Sequence, residues 1–167
     1  MDLAIVVLAA GQGKRMHSDT PKVLHRLAGR ALLAHVLDAA RALGPERIVV
    51  VHGHGGERVR AAFPDEGLIW VEQRERLGTG HALMQALPEV PQHAQVLVLS
   101  GDVPLISVET LQRLLAAGAD GELALLTSEL GDAKGYGRVV RDGDGRIERI
   151  AEEKDATPEQ REIREWY

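Results

Sequence analysis

The sequence contains no cysteine, so disulfides and thiol chemistry are excluded and a reducing compartment is permitted. Aromatic residues are scarce, 3% of 167, which leaves Leu, Val, Ile and Ala to build the core from an apolar content of 44%. There is no apolar run long enough to span a bilayer. The opening MDLAIVVLAAGQGKRM is apolar only from Leu3 to Ala10 and has no basic stretch ahead of it. A cytoplasmic protein without membrane contact is the expectation. Positive charge is not in excess either, and a net charge of −5 argues against a nucleic-acid-binding surface. Internal repeats, low-complexity segments and a convincing linker are missing, so residues 1–167 read as one domain.

What the chain does have is a recurring pair of patterns. Apolar runs of strand length lie at Leu3–Leu8, Arg47–Val51, Leu68–Val71, Val96–Leu99 and Leu123–Leu126. Helix-type segments separate the first four. LLAHVLDAARAL, residues 32–43, sets Leu32, Leu33, Val36, Leu37, Ala40 and Leu43 on one stripe, with Gly44 as its stop. ERVRAAF and GHALMQAL are shorter candidates. Ser107 is placed to cap VETLQRLLAA, with Glu109 in the first turn and Gly118 past the end. Strands and helices in alternation, with unbroken apolar strands, predict an α/β fold whose parallel sheet is covered on both faces. After Gly121 the pattern changes. GYGRVVRDGDGRIERI predicts two strands around an Asp-Gly turn, and DATPEQREIREWY predicts a polar helix.

The first strand runs into LAAGQGKRM. A dinucleotide fingerprint needs a third glycine where Met16 stands and a helix where Pro21 intervenes, and the Walker pattern is absent. What remains is a bend of small residues whose backbone N–H groups are open to phosphate or a base edge. Lys14, Arg15, Lys22, Arg26 and Arg30 follow it against Asp19 alone. One basic segment on an acidic chain points to a small anionic ligand, the alternative being a tight turn with solvated charges. Ligands of such sheets bind beyond the carboxyl ends of the strands, where EQRERLGTGH and SGDVPL also fall. The Gln73 amide both donates and accepts, as reading a base edge requires. Asp102, at a strand end, suits a hard cation such as Mg2+ or, alternatively, caps a loop before Pro104. His52 and His54 share a strand face, but no third ligand at suitable spacing is evident and they receive no role.

The bend, with Thr20-Pro21-Lys22, QRERLGTGHA, VLSGDVPLISVETL, GYGR and EEKDAT in that order, resembles the sugar-nucleotide pyrophosphorylases. Within them it is most similar to the uridylyltransferase domains that make UDP-N-acetylglucosamine. The resemblance implies a Rossmann-like nucleotidyltransferase fold, a three-layer α/β sandwich with a mostly parallel sheet. It implies UTP and N-acetylglucosamine 1-phosphate as substrates, pyrophosphate as coproduct and Mg2+ as cofactor. Leu8, Ala9, Ala10 and Gly11 then form the nucleotide loop, and Arg15 and Lys22 are the catalytic cations on the triphosphate. Gln73, Gly78 and Thr79 meet the base. Asp102 holds the metal, Ser100 and Gly101 contact substrate before it, and Gly137 and Glu152 contact the sugar phosphate. Family members often carry Tyr in place of Ser100, which therefore enters only through its backbone. The nucleophile is an already ionised phosphate oxygen, so the expected catalysis is positioning and charge neutralisation without a covalent intermediate.

The likeness breaks off near Glu165. The family continues through an apolar residue into Asn-Thr-Gly, whose Asn binds the acetamido sugar; Trp166 and Tyr167 stand there instead. A later Asn that completes the metal site is missing, as is the β-helix that acetylates glucosamine 1-phosphate and makes the family's homotrimer. The expectation is a single incomplete nucleotidyltransferase domain with little or no turnover by itself. The competing functions are a non-catalytic nucleotide-binding module and a related cytidylyl or other sugar nucleotidyltransferase. Met16 and Pro21 disfavour a nicotinamide-binding domain.

Overall fold

The structure is a computed structural model that describes residues 2–11, 16–53, 56–64, 67–75, 77–119 and 121–167. Where the sequence shows no linker, the chain still divides into two compact units, Met1–Gly121 and Glu122–Tyr167.

The first unit runs β1 (Leu3–Ala9), a short hairpin of β2 (Arg26–Leu27) and β3 (Arg30–Ala31), α1 (Leu32–Ala42), β4 (Arg47–Gly53), α2 (Glu57–Ala62), β5 (Leu68–Gln73), α3 (Thr79–Ala86), β6 (Gln95–Ser100) and α4 (Val108–Ala117). The four long strands form one parallel sheet in the order β5-β4-β1-β6. Period-two alternation divides their side chains. Ile5 and Val7 join Leu33, Val36 and Leu37 of α1, Val59 of α2 and Leu111 of α4 on one face. Val6, Val49 and Val51 meet Ala82 and Ala86 of α3 on the other. This distribution follows from chain direction. Strands are added leftward from β1 to β5, then the chain returns over the opposite face to lay β6 beside β1, as right-handed crossovers require.

The helix expectations hold closely. Ser107 accepts the Thr110 N–H at 3.1 Å and caps α4, which ends at Gly118. The buried side of α1 is Leu33, Val36, Leu37, Ala39 and Ala40, shifted slightly from the expected stripe. Coverage on both faces holds for β1 and β4 but not for β6, whose Val96 and Val98 remain 38% and 39% exposed. The reason is local: α3 packs against β1, β4 and β5. The fifth expected strand, Leu123–Leu126, does not form. A strand needs a neighbouring ladder as well as suitable side chains, and Leu123 is 96% exposed.

The second unit contains β7 (Ser128–Glu129), β8 (Arg138–Arg141), β9 (Ile147–Ala151), α5 (Pro158–Arg161) and β10 (Glu165–Trp166), with an antiparallel sheet in the order β7-β10-β8-β9. The β8–β9 hairpin is as expected, and Asp142 Oδ1 closes its turn by accepting from Asp144 and Arg146 N–H. The expected C-terminal helix shrinks to α5, which has a capping box of Thr157 and Gln160. Beyond it the chain becomes a strand because Glu165 receives two hydrogen bonds from Arg141, at 2.8 and 2.7 Å, and Trp166 pairs with β7 and β8. These tertiary contacts outweigh helix propensity.

The Arg141 hydrogen bonds, followed by one from Thr127, hold the Glu165 carboxyl at about 2, well below its ordinary 4.5. A depressed carboxyl stabilises the fold above its unfolded value, and that contribution fades as pH falls through the folded one. Thermal melts followed by Trp166 fluorescence in a Trp70→Phe background are expected to lose stability between about pH 4.5 and pH 2. Glu165→Gln should flatten that part of the profile.

Candidate functional site

Parallel register brings the carboxyl ends of the long strands to one edge. Gly53 pairs with Gln73, Ala9 with His52, and Leu8 with Ser100. The strand order reverses between β1 and β6, the place where open α/β sheets bind ligands. Ala10 and Gly11 continue β1 past this edge. Arg15, assigned to the triphosphate, lies outside the described residues, as do Lys14 and His54.

From Met16 the chain leads to a 3-10 turn, Lys22–Leu24. Pro21 precedes it with φ −50°, and its carbonyl accepts the Leu24 N–H at 2.8 Å. Val23, 2% exposed, anchors the turn in the core, while Arg58 donates to the Asp19 carbonyl at 2.7 Å. Lys22 is thus presented by a supported turn, and its ammonium forms an ion pair with Asp102. The two side chains are 40% and 25% exposed. A pair this wet contributes only about 0–1 kcal/mol, so an incoming ligand can separate it easily.

Gly101 explains why the two segments approach so closely. Its N–H donates to the Leu8 carbonyl at 2.9 Å. A Cβ there would stand 3.1 Å from that oxygen, 3.3 Å from Val23 Cγ1 and 3.4 Å from Ala9 Cβ. Gly101 therefore packs the end of β6 onto both the end of β1 and the Lys22 turn. Ser100 beside it is exposed.

Gln73 is a buried polar side chain, 4% exposed, at the end of β5. Its Nε2 donates to the Gly78 carbonyl at 3.0 Å and lies 3.1 Å from His81 Nδ1. Gly78 has φ +102°, a conformation that L side chains rarely adopt, and open space where a Cβ would be. Thr79, exposed, begins α3. A groove beside this network is lined by Glu72, Arg74, Glu75, His81 and Gln85. With two carboxylates to one guanidinium it is a poor place for phosphates.

Sequence reasoning left His81 without a role, since only the return of the chain from β5 into α3 sets it against Gln73. In the second unit it overlooked Arg138, whose guanidinium is buried against Glu153 at 2.8 Å, the Ile163 carbonyl at 3.0 Å and the Tyr136 carbonyl. The Gly135 N–H, then Arg138, hold the Glu153 carboxyl below the usual range. Gly137 and Glu152 do come together, through Tyr167. The tyrosine hydroxyl donates to Glu152 at 2.9 Å, and a Cβ on Gly137 would meet Tyr167 Cε1 at 2.7 Å. Burial, and then the Glu152 contact, push the Tyr167 phenol up.

Among the described residues no group of three His, Asp or Glu side chains forms a metal cage. Asp102 alone fits a cation of the Mg2+ kind, which takes one or two carboxylates and completes its shell with water and substrate phosphates. No helix among the described residues is long and apolar enough to cross a membrane.

A rim of strand ends, a cation–carboxylate pair at the reversal point and a buried amide beside a glycine-led helix make up the candidate site. Residues 5–154 match the family described as MobA-like NTP transferase domain. The chain belongs to that family and is a nucleotidyltransferase domain. Among individual relatives, "Bifunctional protein GlmU" of Chromobacterium violaceum is 59% identical over 163 residues, 98% of this chain. The chain spans 36% of that relative's length. Rv0371c of Mycobacterium tuberculosis, solved in complex with manganese, is 28% identical with a TM-score of 0.61, over 72% of this chain and 61% of its own. UDP-glucose pyrophosphorylase complexed with UDP-glucose superposes with a TM-score of 0.76 over 99% of this chain and 74% of its own. At 15% identity it is a likeness of fold alone.

Gly101→Ala should test the close packing at the rim. Adding a methyl group against backbone and a buried valine is expected to lower stability by about 1–3 kcal/mol. Urea denaturation measures the loss, and an unchanged midpoint would show that the strand ends have room to part.

Proposed function

We propose that this chain carries the nucleotide half of a uridylyltransferase that joins UTP to N-acetylglucosamine 1-phosphate. A phosphate oxygen of the sugar attacks the α-phosphorus, the α–β bridging bond breaks, and pyrophosphate leaves with the electron pair. Because the nucleophile is already an anion, the protein's work is to hold two anions together and to offset their charge. The observation that carries this proposal is the Lys22–Asp102 pair at the sheet's reversal point. On ligand binding Lys22 turns to the phosphates and Asp102 is released to a cation. Mg2+, held by Asp102 and the phosphates, would neutralise charge on the triphosphate. Arg15 is assigned beside Lys22, and Leu8, Ala9, Ala10 and Gly11 line the nucleotide with backbone. Gln73, Gly78 and Thr79 take the base, with Ser100 and Gly101 at the rim next to the metal.

The relatives named GlmU and the manganese complex of Rv0371c support the nucleotide chemistry and a divalent ion. A nucleoside triphosphate substrate and a cysteine-free chain suit the cytoplasm. The sugar half is a different matter. Gly137 and Glu152 are assigned to the sugar phosphate, yet Tyr167 fills the space over the first and engages the second. The chain is accordingly read as one incomplete domain that binds UTP and turns over little, and the same contact favours a nucleotide-binding module as the second reading. Acetylation and trimer formation are proposed only for the longer relatives.

Calorimetric titration with UTP, with and without Mg2+, tests the site. Lys22→Met should weaken Mg2+·UTP binding by about 10–100-fold, the worth of a charge-assisted hydrogen bond. Asp102→Asn should abolish the gain from Mg2+ while sparing metal-free binding. Unchanged affinity in both variants would remove the assignment. Pyrophosphate release from UTP and N-acetylglucosamine 1-phosphate should be slight for this chain, and rapid release would refute the reading of Tyr167 as an obstruction.

A further inference from the structure

We propose that His81 is a positioning residue that sets which end of the Gln73 amide is offered to the base, and so makes the site select uracil over cytosine. This holds only if Gln73 faces the base, as proposed above. The inference starts from the Gly78 carbonyl, which can only accept. The Gln73 atom 3.0 Å from it must therefore be the amide nitrogen. The same nitrogen lies 3.1 Å from His81 Nδ1, so that ring atom must accept as well. His81 is then neutral with its proton on Nε2.

On the far side of the ring the Gln85 side-chain amide lies 3.2 Å from Nε2. A neutral imidazole has one N–H, so Gln85 must turn its oxygen toward it. The turn sacrifices only a 3.5 Å approach to the His81 carbonyl, too long to matter. The alternative, turning Gln73 instead, would set its oxygen against the Gly78 oxygen. The result is a directed chain: Gln85 holds His81, and His81 with Gly78 holds both N–H bonds of Gln73.

The Gln73 oxygen is then the only part of that amide left to offer. No donor among the described residues takes it. An acceptor fixed at a base edge suits the N3–H of uracil and opposes the N3 lone pair of cytosine. With Gly78 alone the amide keeps one anchor, and reversal costs that bond and an approach of two oxygens; His81 adds the loss of a second bond. Glutamine by itself does not select between pyrimidines; glutamine held by these two acceptors does.

The test compares UTP with CTP binding, both with Mg2+, for the wild-type chain and for His81→Leu, His81→Asn and Gln73→Ala. Asn is close in shape to Leu but restores an acceptor near the Nδ1 position. The expected result is a preference for UTP that falls about tenfold in His81→Leu and survives in His81→Asn. A purely packing role for His81 would not separate these two variants. If Gln73→Ala loses the preference while His81→Leu keeps it, the positioning role is wrong and base reading by Gln73 stands. If the wild type has no preference, or Gln73→Ala keeps it, base reading fails and the positioning role falls with it. Long-range 1H–15N correlation on the wild type adds a check that needs no variant. It should show the Nε2–H tautomer, and a proton on Nδ1 would overturn the inference.

Discussion

The site exists because β1 is paired in parallel on both sides, with β4 and with β6. Parallel pairing leaves all carboxyl ends at one edge, and the observed register puts Leu8 opposite Ser100 and Ala9 opposite His52. One residue of slip would exchange the side chains that β1 gives to its two apolar layers and misfit both, so close packing fixes the register that the site needs. Gly101 completes the constraint. With no side chain it lets β6 finish against the Leu8 carbonyl and beside Val23, and Lys22 and Asp102 meet as a result.

The electrostatics of that meeting are those of a half-exposed ion pair. A buried, well-bonded ion pair would resist a ligand, because separating it would strand a charge away from water. Lys22 and Asp102 are wet enough to part at little cost. In the proposed function each then finds a partner of the right sign in a metal-bound triphosphate. Gln73 is the opposite case. It is buried, doubly bonded through its nitrogen and held by His81 and Gly78, which suits a group whose direction carries information.

The second unit is organised around polar contacts where the first uses aliphatic packing. Arg138 is its largest fully buried side chain and ties the 135–137 turn, Glu153 and the end of α5 together. Around it Arg141 grips Glu165, and Tyr167 covers Gly137. Such a network fixes geometry more than it adds stability, since burying charge is costly unless every partner is present.

Much of the fold was legible before folding, for short-range reasons. Unbroken aliphatic runs mark β1 and β4, Ser107 marks the start of α4, and Asp142 marks the hairpin turn, because hydrophobic period, capping and turn chemistry act between residues close in sequence. The bend after β1 and the strand-end loops could likewise be gathered on one rim from topology alone. Leu123–Leu126, expected as a strand, and Glu165–Trp166, expected as helix, were misjudged, since a strand exists only where another ladder receives it. That Lys22 and Asp102 share one rim could be expected from their places at the strand ends, whereas their direct contact, the hold of His81 on Gln73 and the burial of Arg138 were beyond reach. The sequence by itself determined which chemical groups the protein has and which segments repeat as strand and helix. Tertiary structure decided which distant groups touch and which way each polar side chain faces, because those depend on register and burial that no local pattern encodes.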